Sequence, residues 1–212
     1  MTRAYLAFTA KGLALAQKLA AAYPGSVTRC GHEAGQVHLA DWTARQFAGS
    51  DALVFVGAVG IAVRAIAPHC RSKASDPAVV VLDECGRFAV PVLSGHLGGA
   101  NDLARALAAV CGAVPVITTA TDAHGIFAVD EWAKHQNCTV LEAERIKHVS
   151  SKLLAGQSVR FAAEFPVQGT PPAGVDSART PAEADFALTL SPAGDALHLV
   201  PRIGVLGIGC RR

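Results

Sequence analysis

Apolar residues along this chain fall into short blocks whose spacing switches between strand-like and helix-like periods. Tyr5-Leu6-Ala7-Phe8 predicts a strand over about 3–8, and Leu13, Ala16, Leu19 and Ala20 then recur at helical spacing with Thr9 placed to cap them. Ala52-Leu53-Val54-Phe55-Val56 runs uninterrupted to Gly57, as in a strand covered on both faces. Ile61, Val63, Ile66 and Ala67 predict a helix that Pro68 ends. Val79–Leu82 and Phe88–Leu93 flank Asp83-Glu84-Cys85-Gly86, which reads as a hairpin turn, and Pro91 puts part of the second strand at an edge or a bulge. A helix over Asn101–Val110 follows, with Leu103, Ala106, Leu107 and Val110 on one face and Gly112 past its end. Val114–Ile117 reads as a strand and Phe127–Lys134 as a helix. This alternation predicts a three-layer α/β/α domain over 1–137 with a mixed, largely parallel sheet.

Beyond 137 the texture changes. A helix near 142–154 and a strand near 158–162 lead into a stretch rich in proline and glycine, Phe165–Pro181. Phe186–Leu190 and Ala196–Val200 then pair around Ser191-Pro192-Ala193-Gly194-Asp195. Residues 138–200 are expected to form a smaller α/β module. Ile203–Gly209 reads as the first strand of a further carboxyl-terminal domain over 201–212, the rest of which is absent from this chain.

Composition narrows the class. Of 212 residues, 51% are hydrophobic and 17% charged, too apolar for a disordered chain. The net charge is +2 with the cations scattered singly, so no nucleic-acid footprint is visible. No apolar run approaches the roughly 20 residues of a membrane span, and Lys11 and Lys18 interrupt what would otherwise resemble a signal peptide. The six cysteines show neither C-x-x-C pairs nor zinc-like spacing, which fits free thiols in the cytoplasm.

Three loops carry candidate chemistry. In Ser94-Gly95-His96-Leu97-Gly98-Gly99-Ala100-Asn101-Asp102, glycines permit close backbone approach and a helix start offers unpaired N–H groups. His96 is the loop's side chain that titrates near neutrality, suited to act as general acid or base. The alternative is a tight strand-to-helix turn, capped by Ser94 or Asn101, with His96 structural. In Gly57-Ala58-Val59-Gly60-Ile61-Ala62-Val63-Arg64, Gly57 and Gly60 build an anion-facing turn, and Arg64 either reaches a carboxylate or forms a surface salt bridge. Thr118, Thr119, Thr121 and Asp122 follow the next strand and suit either a polar substrate edge or helix capping. Lys73 and Asp76 lie in a polar link, Asp76 before Pro77 as a ligand or a turn former. Neither a Walker loop nor a G-x-G-x-x-G fingerprint is present. Loops at the ends of successive strands are expected to line one cleft at the sheet's carboxyl edge.

The stretches GAVGIAVRAIAP (from Gly57), KASDPAVVV (from Lys73), SGHLGGANDLA (from Ser94) and VITTATD (from Val116), with Asp130 behind them, resemble the cobalt-precorrin-5A hydrolases of cobalamin biosynthesis. LHLVPRIGVLGIGCRR, from Leu197, is similar to that family's junction with its carboxyl-terminal domain. The resemblance implies opening of a δ-lactone on a cobalt-tetrapyrrole and loss of acetaldehyde to give cobalt-precorrin-5B. It implies His96, Asp122 and Lys73 as catalytic candidates. Gly57, Gly60, Arg64, Asp76, Ser94, Gly95, Gly98, Gly99, Asn101, Thr118, Thr119 and Thr121 become substrate-binding candidates, with Gly98 and Gly99 N–H groups facing an oxyanion or carboxylate. The cobalt is the substrate's, so no cofactor and no protein metal site are implied. Expected partners are the small-molecule substrate, a separately encoded carboxyl-terminal domain or other corrin-pathway enzymes, and a second copy of the chain, but neither nucleic acid nor membrane. Two rivals stand beside this reading: a non-catalytic tetrapyrrole-binding module, and an unrelated anion-binding α/β enzyme.

Overall fold

The computed structural model describes residues 1–31, 36–72 and 75–202. It divides into two compact α/β units, Met1–Thr119 and Ala120–Arg212.

In the first unit the chain runs β1 (Arg3–Ala7), α1 (Ala10–Ala22), β2 (Ser26–Arg29), α2 (Leu39–Gly49), β3 (Ala52–Val56), α3 (Val59–Ile66), β4 (Ala78–Leu82), β5 (Phe88–Leu93), α4 (Ala100–Cys111) and β6 (Val114–Pro115). The strand order is β2-β1-β3-β4-β5-β6. β1 to β4 are mutually parallel, β5 runs antiparallel to β4, and β6 is parallel to β5. The sheet is mixed and largely parallel, as the alternation of periods predicts.

Both faces of this sheet are covered, which is why β3 and β4 are apolar at every position. Tyr5, Val54, Val56, Val80 and Leu82 face α1 and α4, packing on Leu19, Leu103 and Leu107. Leu6, Leu53, Phe55, Val79 and Val81 face α2 and α3, where Trp42 meets Phe55 edge-on at 5.5 Å. Thr9 caps α1, its Oγ1 accepting the Gly12 N–H at 3.0 Å. Gly112 closes α4 in a left-handed conformation, φ 78°, and donates to Ala108. The β4–β5 hairpin turns on Asp83, whose carboxylate accepts the N–H groups of Arg87 and Phe88 at 2.7 and 2.8 Å. Pro91 pairs with Val80 and Leu93 with Val79, a register shift that leaves Val92 as the extra residue, so the bulge of the two expected alternatives is the one formed.

The second unit contains α5 (Ala120–Ala123), α6 (Val129–His135), β7 (Cys138–Val140), α7 (Ile146–Leu154), β8 (Val159–Ala163), β9 (Val175–Ser177), β10 (Phe186–Leu188) and β11 (Leu197–Pro201). Its sheet has the order β7-β11-β10-β8-β9 and is parallel except for β7. The division falls after Thr119 rather than at 137, because α6 packs on β7 and α7. β10 and β11 do pair, with Phe186 opposite Leu197, but in parallel rather than as a hairpin. The segment 189–196 is therefore a crossover. It is fastened by the buried His198, whose Nε2 meets the Ala193 carbonyl at 3.1 Å and whose Nδ1 meets Glu142 at 3.0 Å.

Cys30, Cys70, Cys85, Cys111 and Cys138 are free thiols. No helix among the described residues is long and apolar enough to cross a membrane. The expected strand at 203–209, and Cys210, lie outside the described residues.

Candidate active site

Strand direction decides which loops meet. The hairpin at Asp83–Gly86 reverses the chain, so Leu93 at the end of β5 lies opposite Val79 near the start of β4. The turn that begins at Ser94 therefore emerges where β3 and β4 begin. Gly57 emerges where they end, its N–H bonded to the Leu82 carbonyl at 2.8 Å. The two loops are separated by the length of β4, about 15 Å at roughly 3.3 Å per residue. The expectation of one shared cleft at the carboxyl edge is corrected on this point: a β-meander step inside a parallel sheet sends its next loop to the opposite end.

At the carboxyl edge, the strand order reverses between β1 and β3, the usual position of a ligand crevice. Here the Phe8 ring lies over Gly57, where a Cβ would come within 2.7 Å of it. Gly60 opens onto space, with only the Arg64 guanidinium nearby at 3.6 Å from a notional Cβ. Arg64 itself is exposed in the second turn of α3.

The opposite end holds a more elaborate construction. Two hydrogen bonds spanning six residues close the turn, Ala100 N–H to the Ser94 carbonyl (3.1 Å) and Asn101 N–H to the Gly95 carbonyl (3.0 Å). Closure this tight dictates the glycines: a Cβ on Gly98 would sit 2.4 Å from that of Ser94, and one on Gly95 would sit 2.8 Å from the Asn101 amide oxygen. Gly99 takes φ 86° and Ser94 φ 56°, the latter a left-handed conformation that costs a non-glycine residue energy. Gly98 and Gly99 lead into the positive end of α4. His96 is half-buried within this turn.

The turn is anchored on two sides. Ser94 Oγ donates to the Asp76 carbonyl at 2.9 Å, and Asn101 Nδ2 donates to Thr119 Oγ1 at 3.0 Å. Asn101 is 1% exposed, Thr119 half-buried and Thr118 exposed. The Asp76 carboxylate accepts the N–H groups of Arg71 and Ser72 at 2.9 and 3.1 Å, which makes it a clamp on the loop before β4. Lys73 lies outside the described residues. Thr121 and Asp122 fall in α5, in the second unit, Thr121 buried and Asp122 half-buried.

A cavity of about 400 Å³ opens beside Asp76, lined also by Phe47, His69, Arg71, Ser75 and Pro77. Arg71 is exposed, and its guanidinium forms no ion pair among the described residues. Sequence reasoning passed over His69 and Arg71. The signal was the cluster His69-Cys70-Arg71-Ser72-Lys73 just before Asp76.

Residues 41–122, which include this turn, match the family described as Cobalamin synthesis G N-terminal. Over 188 residues the chain is 41% identical to a cobalt-precorrin-5A hydrolase from Salmonella typhimurium, a match that covers 80% of this chain and 53% of that protein. In sequence the chain resembles the cobalt-precorrin-5A hydrolases. A second hydrolase of that name, from Priestia megaterium, is 40% identical over 112 residues, 53% of this chain and 30% of the relative. The chain thus spans about half the length of the Salmonella hydrolase. A crystal structure of a cobalamin biosynthesis protein G homolog from Sulfolobus solfataricus shares the fold, with a TM-score of 0.57 at 20% identity, covering 94% of this chain and 59% of that one.

Proposed function

We propose that this chain provides the substrate site of a cobalt-precorrin-5A hydrolase, which opens the δ-lactone of a cobalt-tetrapyrrole and releases acetaldehyde, leaving cobalt-precorrin-5B. The observation that carries the reading is the 41% identity over 188 residues to the Salmonella enzyme. The turn between β5 and α4 supplies chemistry that suits it. Lactone hydrolysis needs a base for water and donors for the tetrahedral oxyanion. His96 is the proposed base, and the N–H groups of Gly98 and Gly99 are the proposed donors. Arg71 holds a substrate carboxylate at the same end of the sheet. The cobalt travels with the substrate, and the reaction as proposed uses no cofactor of the protein's own.

A second reading is favoured by one fact: the chain's match covers 53% of the Salmonella relative. On that reading this chain binds the tetrapyrrole, and turnover needs the remainder of the relative's length. Incubation with cobalt-precorrin-5A, followed by a coupled acetaldehyde assay, separates the two. Acetaldehyde from this chain alone supports the hydrolase. Saturable binding without acetaldehyde supports the binding half, and the absence of both overturns the assignment.

A further inference from the structure

The second unit gathers aromatic residues that lie far apart in the chain. Phe161 stacks on Phe186 with ring centroids 4.8 Å apart and planes 25° apart. Trp132 meets Phe161 edge-on at 5.7 Å, and Phe127 lies 5.8 Å from Phe186. Phe127 also lies 6.3 Å from Trp132, so the four rings form a closed cluster of contacts. They wall a cavity of about 190 Å³, open to solvent and roofed by residues 167–172.

We propose that this cavity is a binding site for the face of a flat, uncharged, conjugated ring. Phe186 is buried, but Trp132, Phe127 and Phe161 are only half-buried, so ring surface is presented rather than consumed by packing. Among the described residues, no charged side chain lines the cavity. A second cavity of about 490 Å³ shares Trp132, Val167 and Gln168 with it and, among the described residues, is also lined by no charged side chain. Trp132 therefore lines both cavities, whose combined space exceeds that of a single six-membered ring. Gln168, Thr170 and Ser177 sit at the rim, where they can hydrogen-bond polar substituents on a ring's edge while its face stays on the aromatics. The roof is part of the stretch 164–174 between β8 and β9, which has no secondary structure and carries Gly169 at φ 97° and the pair Pro171-Pro172. Connections of that length and irregularity are commonly lids or binding loops. The site rests on the proposed function only for identifying the ring as a tetrapyrrole.

The test uses the full chain and coproporphyrin III, a flat tetrapyrrole with an uncharged ring and carboxylates at its edge, followed by its fluorescence anisotropy. Saturable binding is expected. Trp132→Leu and Ser177→Phe, the latter filling the mouth without removing core, should each raise the Kd at least about tenfold, the scale of one lost aromatic stacking contact. Circular dichroism checks that each variant is folded, and Ser177→Phe decides if Trp132→Leu is not. No saturable binding by the unmodified chain, or an unchanged Kd in folded Ser177→Phe, overturns the proposal. Failure of the proposed function looks different: porphyrin binding that is lost in Ser177→Phe, with cobalt-precorrin-5A neither bound nor hydrolysed by any form. Conversely, hydrolysis with an unchanged KM in Ser177→Phe removes the site and leaves the function.

Discussion

The Asn101 side-chain nitrogen donates to Thr119 Oγ1 at 3.0 Å, joining the first turn of α4 to the segment that follows β6. The glycine turn is held by this bond on one side and by Ser94 Oγ on the Asp76 carbonyl, 2.9 Å away, on the other. Both anchors reach residues distant in sequence, so the turn's shape is set by tertiary contacts as well as by its glycines.

Asn101→Ala removes the bond and opens a cavity at a position 1% exposed. It should lower stability by about 1–3 kcal/mol, and Thr119→Ala by about 1 kcal/mol. Because the two changes delete one shared bond, the double variant should lose less than the sum. Urea titrations of the four proteins measure this; strict additivity would mean that the bond contributes nothing to stability.

Two glycines of the recognised motifs should behave oppositely. Gly98→Ala would place a Cβ 2.4 Å from that of Ser94, with backbone 2.8 Å away, so the turn must distort and stability should fall by roughly 1–3 kcal/mol. Gly60 lies inside α3 with only a flexible guanidinium within reach. Gly60→Ala should therefore raise stability by up to about 1 kcal/mol. If the catalytic end is the one holding His96, Gly60→Ala should also leave turnover unchanged. A large drop in turnover would return the site to the carboxyl edge.

Much of this architecture is legible locally. Thr9 as a cap, the buried run at Ala52–Val56, the turn at Asp83–Gly86 and Gly112 closing α4 are each readable because the signal is contained in a few adjacent residues. Direction is not. The same alternation that announces β10 and β11 fits either sense of pairing, and Ser191–Asp195 has the composition of a hairpin turn although it serves as a crossover. The β4–β5 reversal was readable, but its effect on which loops converge appears only when the whole sheet is assembled. Helix α2 lacked a start signal, since His38 makes no side-chain cap, and its two buried residues, Trp42 and Thr43, are adjacent rather than spaced as a stripe. The aromatic cavity was invisible for a related reason: Phe127, Trp132, Phe161 and Phe186 belong to separate segments that only the second sheet brings together.

The second unit should carry an acid-labile link. Burial pushes the Asp185 carboxyl upward, but the Lys152 ammonium at 2.6 Å and the Arg160 N–H at 2.8 Å outweigh it and hold the group below the usual carboxylate range. A carboxyl depressed on folding stabilises the protein above its unfolded pKa of about 3.9, and that contribution is lost as pH falls through the lower folded value. Asp185→Asn should therefore cost about 1–3 kcal/mol at neutral pH, and the gap to the unmodified chain should narrow steadily below about pH 4. Denaturant titrations at several pH values test it, and a gap independent of pH would show that the lost contacts are not those of the charged form.

His96 provides the sharpest separation of chemistry from structure. It is half-buried in a turn whose shape is already fixed by the Ser94 and Asn101 anchors and by the close packing of Gly95 and Gly98. Truncating it removes little core, so His96→Ala should keep a melting temperature within a few degrees of the unmodified chain. A general base contributes roughly 100- to 10,000-fold to rate. Acetaldehyde release, assayed with the remainder of the relative's length supplied where turnover requires it, should fall at least about tenfold with KM nearly unchanged, because the group acts in the transition state rather than in binding. The pH profile supplies a readout that a structural role would not move: loss of the base should abolish the acidic limb of kcat. Unfolding of His96→Ala with normal activity per folded molecule would make the histidine part of the turn's scaffold. Normal activity in a folded variant would transfer the base role to Asp122 or Lys73, and the same assay on Asp122→Asn and Lys73→Met would show which.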